Sequence, residues 1–237
     1  MSDPSPQPSK PRASAVGEAS DGPLKLAVPR GALLDESLDV LDAAGFDTSE
    51  PRGDSRSLVF TLPGLTLVTM RPSDVPTYVE AGAAHAGITG KDVLMEQADR
   101  VFYEVADLGF GGTQMVLASP ADAPDLDEIE RRLGVVRIGT KYPRIAGDYF
   151  ESTGRRAEVI EVKGSVELAP LAGLADAIVD LTQTGRTLVE NGLEVREHIL
   201  DSTARLVVNR VAYRLRSTEL DELIGALDSA TPGPTGP

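Results

Sequence analysis

The chain of 237 residues contains no cysteine and no tryptophan, and its only histidines are His85 and His198. The lack of cysteine excludes disulfides and thiolate metal sites. Two histidines with no partner spacing argue against a multi-histidine metal centre, and we assign neither a catalytic role. We therefore expect any metal to be Mg²⁺ bound by carboxylate or phosphate oxygens. The sequence does not identify a direct protein ligand for it.

The chain also lacks a long hydrophobic run and has few basic residues. No segment is long enough to span a bilayer, and residues 1–23 lack the continuous apolar core of a signal peptide. Since 37 acidic and 23 basic side chains give a formal net charge of −14, general binding to nucleic acid or anionic membranes is disfavoured. We expect a cytoplasmic protein that binds neither, with disordered ends at residues 1–23 and 228–237.

Between these ends, apolar strands alternate with helical stripes, which is typical of an α/β fold. The pattern predicts a hairpin of strands 59–62 and 65–70, helices at 91–96 and 220–227, and further strands at 24–28, 85–90, 115–118, 137–140, 157–162, 175–181 and 204–213. Residues 120–124 have the composition of a crossover between two units. We expect two α/β lobes around a central cleft, the first formed by residues 24–118 and 203–227 and the second by residues 119–202.

The most informative segment is GLADAIVDLTQTGRTLVENG at residues 173–192. In it a buried strand runs directly into a loop of hydroxyls, a glycine and one cation, formed by Thr182, Gln183, Thr184, Gly185, Arg186 and Thr187. Backbone N–H groups and threonine hydroxyls in such a loop bind phosphate, and glycine allows the main chain to approach closely. Asp180, at the end of the strand, is placed to bind ribose hydroxyls or a metal ion. The alternative is a plain strand-to-helix turn with a threonine cap.

Six segments, taken in order, resemble the ATP phosphoribosyltransferase family. They are PRGALL at 29–34, RPSDVPTYVEAGAAHAGITGKDVL at 71–94, DLGFGGTQMVLA at 107–118, TKYPRIAGDYF at 140–150, GSVELAPLAGLADAIVDLTQTGRTLVENGL at 164–193 and DSTARLVVNR at 201–210. The resemblance covers residues 24–227. It departs from the family at Arg30-Gly31-Ala32, where the family has Lys-Gly-Arg and therefore one more cation.

The resemblance implies a reaction, an architecture and a partner. The family joins N1 of the ATP adenine to C1 of 5-phosphoribosyl-1-pyrophosphate (PRPP) with Mg²⁺ and releases pyrophosphate, as the first step of histidine biosynthesis. Its two α/β lobes have a periplasmic-binding-protein-like (type II) arrangement. The chain resembles the short form, which lacks a regulatory domain and works with a separate subunit similar to histidyl-tRNA synthetase. The loop from Asp180 to Thr187 is then expected to hold the 5-phosphate and ribose of PRPP.

The residues themselves suggest matching roles. Displacement of pyrophosphate from an anomeric carbon requires positioning, a cationic clamp on the leaving group and exclusion of water. We expect Arg71 and Asp180 to be catalytic, and we expect a group of residues to bind ATP or pyrophosphate, namely Arg30, Gly31, Arg71, Lys91 and Glu167. Each cation is otherwise a solvated surface charge, and Glu167 is otherwise a surface acid. Tyr142 either stacks on adenine or only packs.

Other interpretations remain open at the level of sequence. A type I phosphoribosyltransferase has a similar loop, but its paired acids are missing because Leu181 follows Asp180. A non-catalytic, two-lobed small-molecule-binding protein has the same cleft but no need for such a loop. An isolated interaction module is the third alternative. Release of pyrophosphate from ATP and PRPP distinguishes the enzyme from all three.

Overall fold

A computed structural model of the protein describes residues 22–53 and 56–231. The strands, in chain order, are β1 Leu24–Pro29, β2 Val59–Leu62, β3 Leu65–Met70, β4 Ala86–Gly90, β5 Tyr103–Asp107, β6 Thr113–Pro120, β7 Val136–Thr140, β8 Ala157–Glu161, β9 Ala177–Thr182, β10 Leu193–Ser202 and β11 Ala204–Val208. The predicted β2–β3 hairpin is confirmed at both strands.

The helices pack on both sheets. They are α1 Leu34–Ala43, α2 Ser49–Arg52, α3 Val75–Glu80, α4 Lys91–Glu96, α5 Leu126–Leu133, α6 Pro143–Thr153, α7 Leu168–Leu171, α8 Arg186–Glu190, α9 Arg210–Leu215 and α10 Ser217–Ala230, with a 3₁₀ turn at Pro72–Asp74. None of them, in the part of the chain that the structure describes, has the length and apolar character needed to cross a membrane.

The strands form two sheets, and each sheet is the centre of one lobe. In the first lobe the order is β2-β3-β1-β4-β11-β5, and in the second it is β10-β6-β9-β7-β8. In the first sheet the strands β3, β1 and β4 are parallel, and antiparallel strands flank them on both sides, β2 beside β3 and β11 beside β4. In the second sheet the strands β8, β7 and β9 are parallel, and β6 pairs antiparallel with β9 and with β10. The α/β class and the two-sheet architecture agree with the prediction.

Buried strands and helices supply separate cores. In the first lobe, apolar residues of β1, β3, β4 and β11 pack with the buried face of α10, which includes Leu220 and Leu227. In the second lobe, one face of the sheet packs on α5 and α6, and the opposite face packs on α7 and α8. Because both faces are covered, the central strands read as continuous apolar runs rather than alternating ones.

The chain passes between the lobes twice, and the first passage differs from the prediction. Strand β6 belongs to the second sheet, so the boundary predicted at residue 118 falls inside a strand, and the chain crosses at residues 108–112. Residues 120–124, interpreted as a crossover, lead instead from β6 to α5 within the second lobe. The return passage is at Thr203, between β10 and β11.

Two further boundaries differ. The strand predicted at 204–213 ends at Val208, because the side chain of Asn209 accepts hydrogen bonds from the N–H groups of Val211 and Ala212 at 2.9 and 2.8 Å and begins α9. Helix α10 continues to Ala230, past the tail boundary predicted at residue 228. The remainder of the predicted disordered ends, residues 1–21 and 232–237, lies outside the described residues.

Candidate active site

Two of the predicted cations follow neighbouring parallel strands of the first sheet. Pro29 at the end of β1 pairs with Met70 at the end of β3, so Arg30 and Arg71 come next to each other at this edge. The N–H of Arg30 donates to the carbonyl of Met70 at 2.7 Å. The carboxyl ends of parallel strands are where α/β proteins bind ligands.

A large cavity of about 770 Å³ separates the lobes. Arg71 lines it, whereas Arg30 and Gly31 do not. Both lobes supply its walls, through Ala32, Leu33, Asp35, Glu36, Arg71, Pro72, Ser73, Gly90, Asp92, Val93, Glu96, Gln97, Gly111, Thr113, Lys141, Tyr142, Leu181, Gln183 and Ser202. A cavity of this size between lobes is typical of a small-molecule site.

Asp92 is a buried carboxylate in the wall of this cavity, with only 8% of its surface exposed. Its Oδ1 accepts a hydrogen bond from Ser202 Oγ at 2.7 Å, and Ser202 Oγ accepts one from the Asp92 N–H at 3.0 Å. A Cβ placed on Gly90 would lie 2.2 Å from Asp92 Oδ1. Glycine at position 90 therefore allows this carboxylate to fold back over the main chain.

A second cavity of about 430 Å³ lies at the carboxyl end of β9, around the predicted phosphate loop. Asp180, Glu167 and most residues of the loop line it together, and the complete set is Lys141, Tyr142, Glu167, Asp180, Leu181, Thr182, Gln183, Thr184, Arg186, Thr187 and Leu188. Lys141, Tyr142, Leu181 and Gln183 line both cavities. The two spaces therefore adjoin along a shared wall.

Asp180 is 9% exposed. Burial raises the pKa of its carboxyl group, and the charge of Glu167 acts in the same direction. The positive charge of Lys141 and the N–H of Leu181, which donates to Asp180 Oδ1 at 2.9 Å, oppose that rise in pKa. One oxygen of Glu167, Oε2, is buried and has no hydrogen-bond partner. This burial argues against the alternative that Glu167 is a solvated surface acid.

Gly185 gives the loop its shape. Its φ of +72° is in the left-handed region that favours glycine, and it immediately precedes α8. The Gly185 N–H donates to Thr182 Oγ1 at 2.8 Å and the Arg186 N–H donates to Thr184 Oγ1 at 3.4 Å. Two of the backbone donors that the sequence offered to an anion are thus used within the loop.

Two of the predicted ligand-binding cations, Lys91 and Arg186, form ion pairs with acids of their own lobe. Lys91 Nζ lies 2.8 Å from Glu104 Oε2 on β5 and does not line the inter-lobe cavity. Arg186 Nε lies 2.7 Å from Glu190 Oε1 within α8, and its side chain is 81% exposed. The structure therefore brings Arg71 to the large cavity and Arg186 to the rim of the small one.

Tyr142 is at the shared wall, where the sequence left its role open. Burial, followed by the nearby charges of Asp92 and Asp180, raises the pKa of its phenol. Lys141, which sequence reasoning did not propose as a ligand cation, is beside it in both cavities. The signal for Lys141 was present, since it directly follows the buried strand β7 in the same way that Arg71 follows β3.

A preformed protein site for a metal ion was sought among the possible ligand side chains. Within residues 22–53 and 56–231, no set of three or more His, Asp or Glu side chains is arranged to hold a metal ion.

Comparisons with known proteins identify the family of the chain. The family model described as "HisG: ATP phosphoribosyltransferase" matches residues 71–229. An ATP phosphoribosyltransferase of Rubrobacter xylanophilus is 51% identical over 207 residues, covering 86% of this chain and 94% of that protein. One from Bacillus subtilis is 43% identical over 215 residues, covering 90% and 97%.

Two solved structures are similar to the chain, one in sequence and fold and the other in fold alone. A chain of the ATP phosphoribosyl transferase (HisG:HisZ) complex from Thermotoga maritima is 36% identical, with a TM-score of 0.72 and coverage of 87% of this chain and 98% of that one. The substrate-binding protein of an amino acid ABC transporter has a TM-score of 0.55 at 10% identity, with coverage of 88% and 92%. The second likeness shows only the type II, two-lobed fold.

Proposed function

The chain belongs to the ATP phosphoribosyltransferase family, and we propose that its small cavity holds PRPP while the adjoining inter-lobe cavity holds ATP. Members of the family catalyse the first step of histidine biosynthesis. The observation that carries the assignment is the shared wall of Lys141, Tyr142, Leu181 and Gln183. Two substrates that must react need adjacent sites with one common boundary.

In the proposed arrangement, each group acts at a stated atom. N1 of adenine attacks C1 of the ribose, the C1–O bond breaks, and the bonding electron pair leaves with pyrophosphate. Asp180, at the end of β9, binds the ribose hydroxyls. Its negative charge stabilises the positive charge that develops on the sugar in the transition state. Arg71 and Lys141, on opposite lobes of the same cavity, neutralise phosphate groups.

The phosphate loop is proposed to hold the 5-phosphate of PRPP. Its support is the left-handed Gly185 and the hydroxyls of Thr182, Thr184 and Thr187 near the same cavity. Helix α8 has only five residues, so its dipole contributes little. The loop donors, including those now bonded to threonine hydroxyls, have to rearrange or share their hydrogen bonds when phosphate binds.

A divalent metal is generally needed by ATP-using phosphoribosyltransferases, and we propose that it is Mg²⁺. Mg²⁺ keeps several waters and binds through substrate phosphates with one or two carboxylates. The pyrophosphate of PRPP offers such oxygens, and Asp180 and Glu167 are the acids that line its cavity. With these acids and the pyrophosphate oxygens as ligands, the bound ion would neutralise charge on the leaving group.

We also propose a regulatory partner similar to histidyl-tRNA synthetase. The support is the 36% identity to a chain of the HisG:HisZ complex, 98% of which is covered. A cytoplasmic location stays a prediction from the sequence. The non-catalytic alternative is not favoured, because its structural likeness is confined to the fold.

The test compares Arg71→Met with Arg214→Met, which changes an exposed arginine on α9 of the first lobe. Pyrophosphate release from ATP, PRPP and Mg²⁺ should fall at least about 10-fold in the first variant, or about 1.4 kcal/mol of transition-state stabilisation. The second variant should match the wild type. Equal rates in both variants would remove Arg71 from the site, and no pyrophosphate from the wild type would contradict the whole assignment.

A further inference from the structure

Helix α6 begins without a cap of its own. Tyr142, at its N-cap position, makes no side-chain cap hydrogen bond, and Pro143 has no N–H to donate. The first N–H groups that need acceptors are therefore those of Arg144 and Ile145. Both donate to Glu96, to Oε1 at 3.0 Å and to Oε2 at 3.1 Å.

This cap comes from the other lobe. Glu96 is the last residue of α4 in the first lobe, whereas α6 lies between β7 and β8 in the second. Two more acids are near Glu96 in the sequence. Asp92 is four residues before it, on the same face of α4, and lines the inter-lobe cavity together with Tyr142. Asp99 lies in the turn that follows α4, and its Oδ2 is 2.6 Å from Arg144 Nη1.

The contacts that Glu96 and Asp99 make with α6 differ in strength. The Asp99 side chain is 86% exposed and that of Arg144 is 37% exposed, and such surface ion pairs contribute little. The two bonds to Glu96 are charge-assisted, and its negative charge lies at the positive end of an eleven-residue helix. Glu96 is therefore the principal bridge between α4 and α6.

We infer that Glu96 is a positioning residue for phosphoribosyl transfer. By capping α6 from the opposite lobe, it fixes the Lys141–Tyr142 turn at the wall shared by the two cavities. It also fixes the separation of the lobes across the inter-lobe cavity, where Arg71 of the first lobe faces Lys141 of the second. The inference rests on the proposed use of these cavities for ATP and PRPP.

Kinetics of Glu96→Gln test the positioning role. The amide keeps one acceptor oxygen but turns an NH₂ donor toward the second N–H, so one bond is lost. We expect kcat/KM for ATP to fall roughly 10-fold, the equilibrium effect of losing one helix cap, with kcat lowered as well as KM raised. Glu96→Asp keeps both acceptor oxygens and should retain more activity. Asp99→Asn should change little, and the exposed Glu222→Gln on α10 is the matched control.

Distances between the lobes test the mechanical part independently of turnover. Because the chain has no cysteine, Thr77→Cys on α3 and Glu128→Cys on α5 give one exposed spin label in each lobe without background labelling. Electron paramagnetic resonance should give a longer and broader distance distribution in Glu96→Gln than in its parent. Should that variant fail to fold, Glu96→Asp, whose side chain is shorter by one CH₂ group, should give a smaller broadening in the same direction.

Outcomes separate the two claims. Reduced kcat/KM together with a broadened distance supports the inference. An unchanged distance distribution, or kinetics equal to those of Glu222→Gln, overturns it. A broadened distance in a protein whose wild type transfers no phosphoribosyl group would overturn the proposed function and, with it, the positioning role.

Discussion

At the scale of single residues, Asp180 combines burial with a nearby positive charge. Burial raises the pKa of its carboxyl group and Lys141 lowers it, so the two effects oppose each other at the end of β9. In the proposed function this carboxylate is pre-oriented for the ribose hydroxyls, so little reorganisation accompanies binding of the sugar. Lys141 would then act on phosphate as well as on the pKa of Asp180.

Asp180→Asn should lower the rate of transfer while leaving the fold intact. Asparagine has the same size but no negative charge, so kcat should fall by about 10-fold or more, at about 1.4 kcal/mol per decade. Steady-state kinetics with ATP and PRPP are the measurement. Asp148→Asn, at an exposed position on α6, should behave as the wild type, and wild-type rates in Asp180→Asn would assign Asp180 a structural role.

His85 should make stability depend on pH. Its Nδ1 accepts the N–H of Lys25 at 2.8 Å, and burial, then the charges of Arg216 and Lys25, lower the pKa of its ring. The unfolded chain, with a histidine pKa of about 6.5, therefore takes up this proton first as the pH falls. Stability should be lost as the pH drops below that value toward the folded pKa, by at most about 1.4 kcal/mol per pH unit for one proton.

Urea unfolding of His85→Gln between pH 7.5 and 5 tests this dependence. The variant should lose part of the slope, whereas His198→Gln, at an exposed histidine that pairs with Asp201, should retain it. An identical slope in His85→Gln and the wild type would contradict the argument.

The residues that the sequence singled out at strand ends line the two cavities. Arg71 follows β3 and lines the inter-lobe cavity, whereas Asp180 lies near the end of β9 and lines the small cavity with most of the loop that follows. Their roles in binding and catalysis stay predictions. Lys91 also follows a strand, but its partner Glu104 is on β5, two strands away from β4 in the sheet. That pairing depends on the strand order, which local spacing does not encode. The capping role of Glu96 was missed for the same reason.

At the scale of elements, the predictions succeeded where turn chemistry is strong. The Pro63-Gly64 turn separates β2 from β3 as expected. The mainly polar strand β10 and the short strand β5 were not predicted, since few of their side chains are buried and an apolar pattern is therefore absent. Helix α9 was read as strand because its apolar residues continue those of β11, and the cap from Asn209 decided otherwise.

Gly185→Ala and Gly147→Ala should change stability in opposite directions. An alanine at φ +72° adopts a conformation that costs roughly 1–2 kcal/mol for an L residue. Gly147 lies inside α6 with open space around its Cα, so alanine there should stabilise by roughly 0.5–1 kcal/mol. Chemical denaturation measures both.

PRPP affinity tests whether Gly185 matters for ligand binding as well as for stability. Calorimetry should show weaker PRPP binding for Gly185→Ala and unchanged binding for Gly147→Ala. No atom lies within 4 Å of a Cβ placed on Gly185, so any crowding falls on the ligand or on the loop conformation. Unchanged PRPP affinity in a folded Gly185→Ala protein would remove the loop from the site.

At the scale of the whole molecule, the chain passes between the lobes twice, and the parallel strands of both sheets have their carboxyl ends toward one cleft. The general arrangement was predictable because the strand and helix pattern returns to the first lobe after residue 203. The lobe boundary at residues 108–112 was not predictable from the sequence. The apolar pattern of β6 follows that of the first lobe without a break, and β6 belongs to the second lobe because it pairs with β9 and β10.

The net charge of −14 should oppose the approach of two polyanionic substrates, whereas in the proposed function Arg71 and Lys141 attract them at contact distance. Raising ionic strength from about 0.01 to 0.1 M shortens the Debye length from about 30 to 10 Å. Distant repulsion is then screened more strongly than contacts within the cleft. At constant saturating Mg²⁺, kcat/KM for PRPP should therefore rise by about twofold or more, at the low end of electrostatic steering effects.

Removing negative charge outside both cavities provides the control for this prediction. Glu222→Gln with Asp228→Asn, both on α10 in the first lobe, makes the protein less negative without changing a residue of either cavity. This double variant should start from a higher kcat/KM at low salt and respond less to added NaCl. A steady fall of kcat/KM with salt in both proteins would mean that attraction within the cleft dominates at all distances, because screening would then weaken only the favourable term.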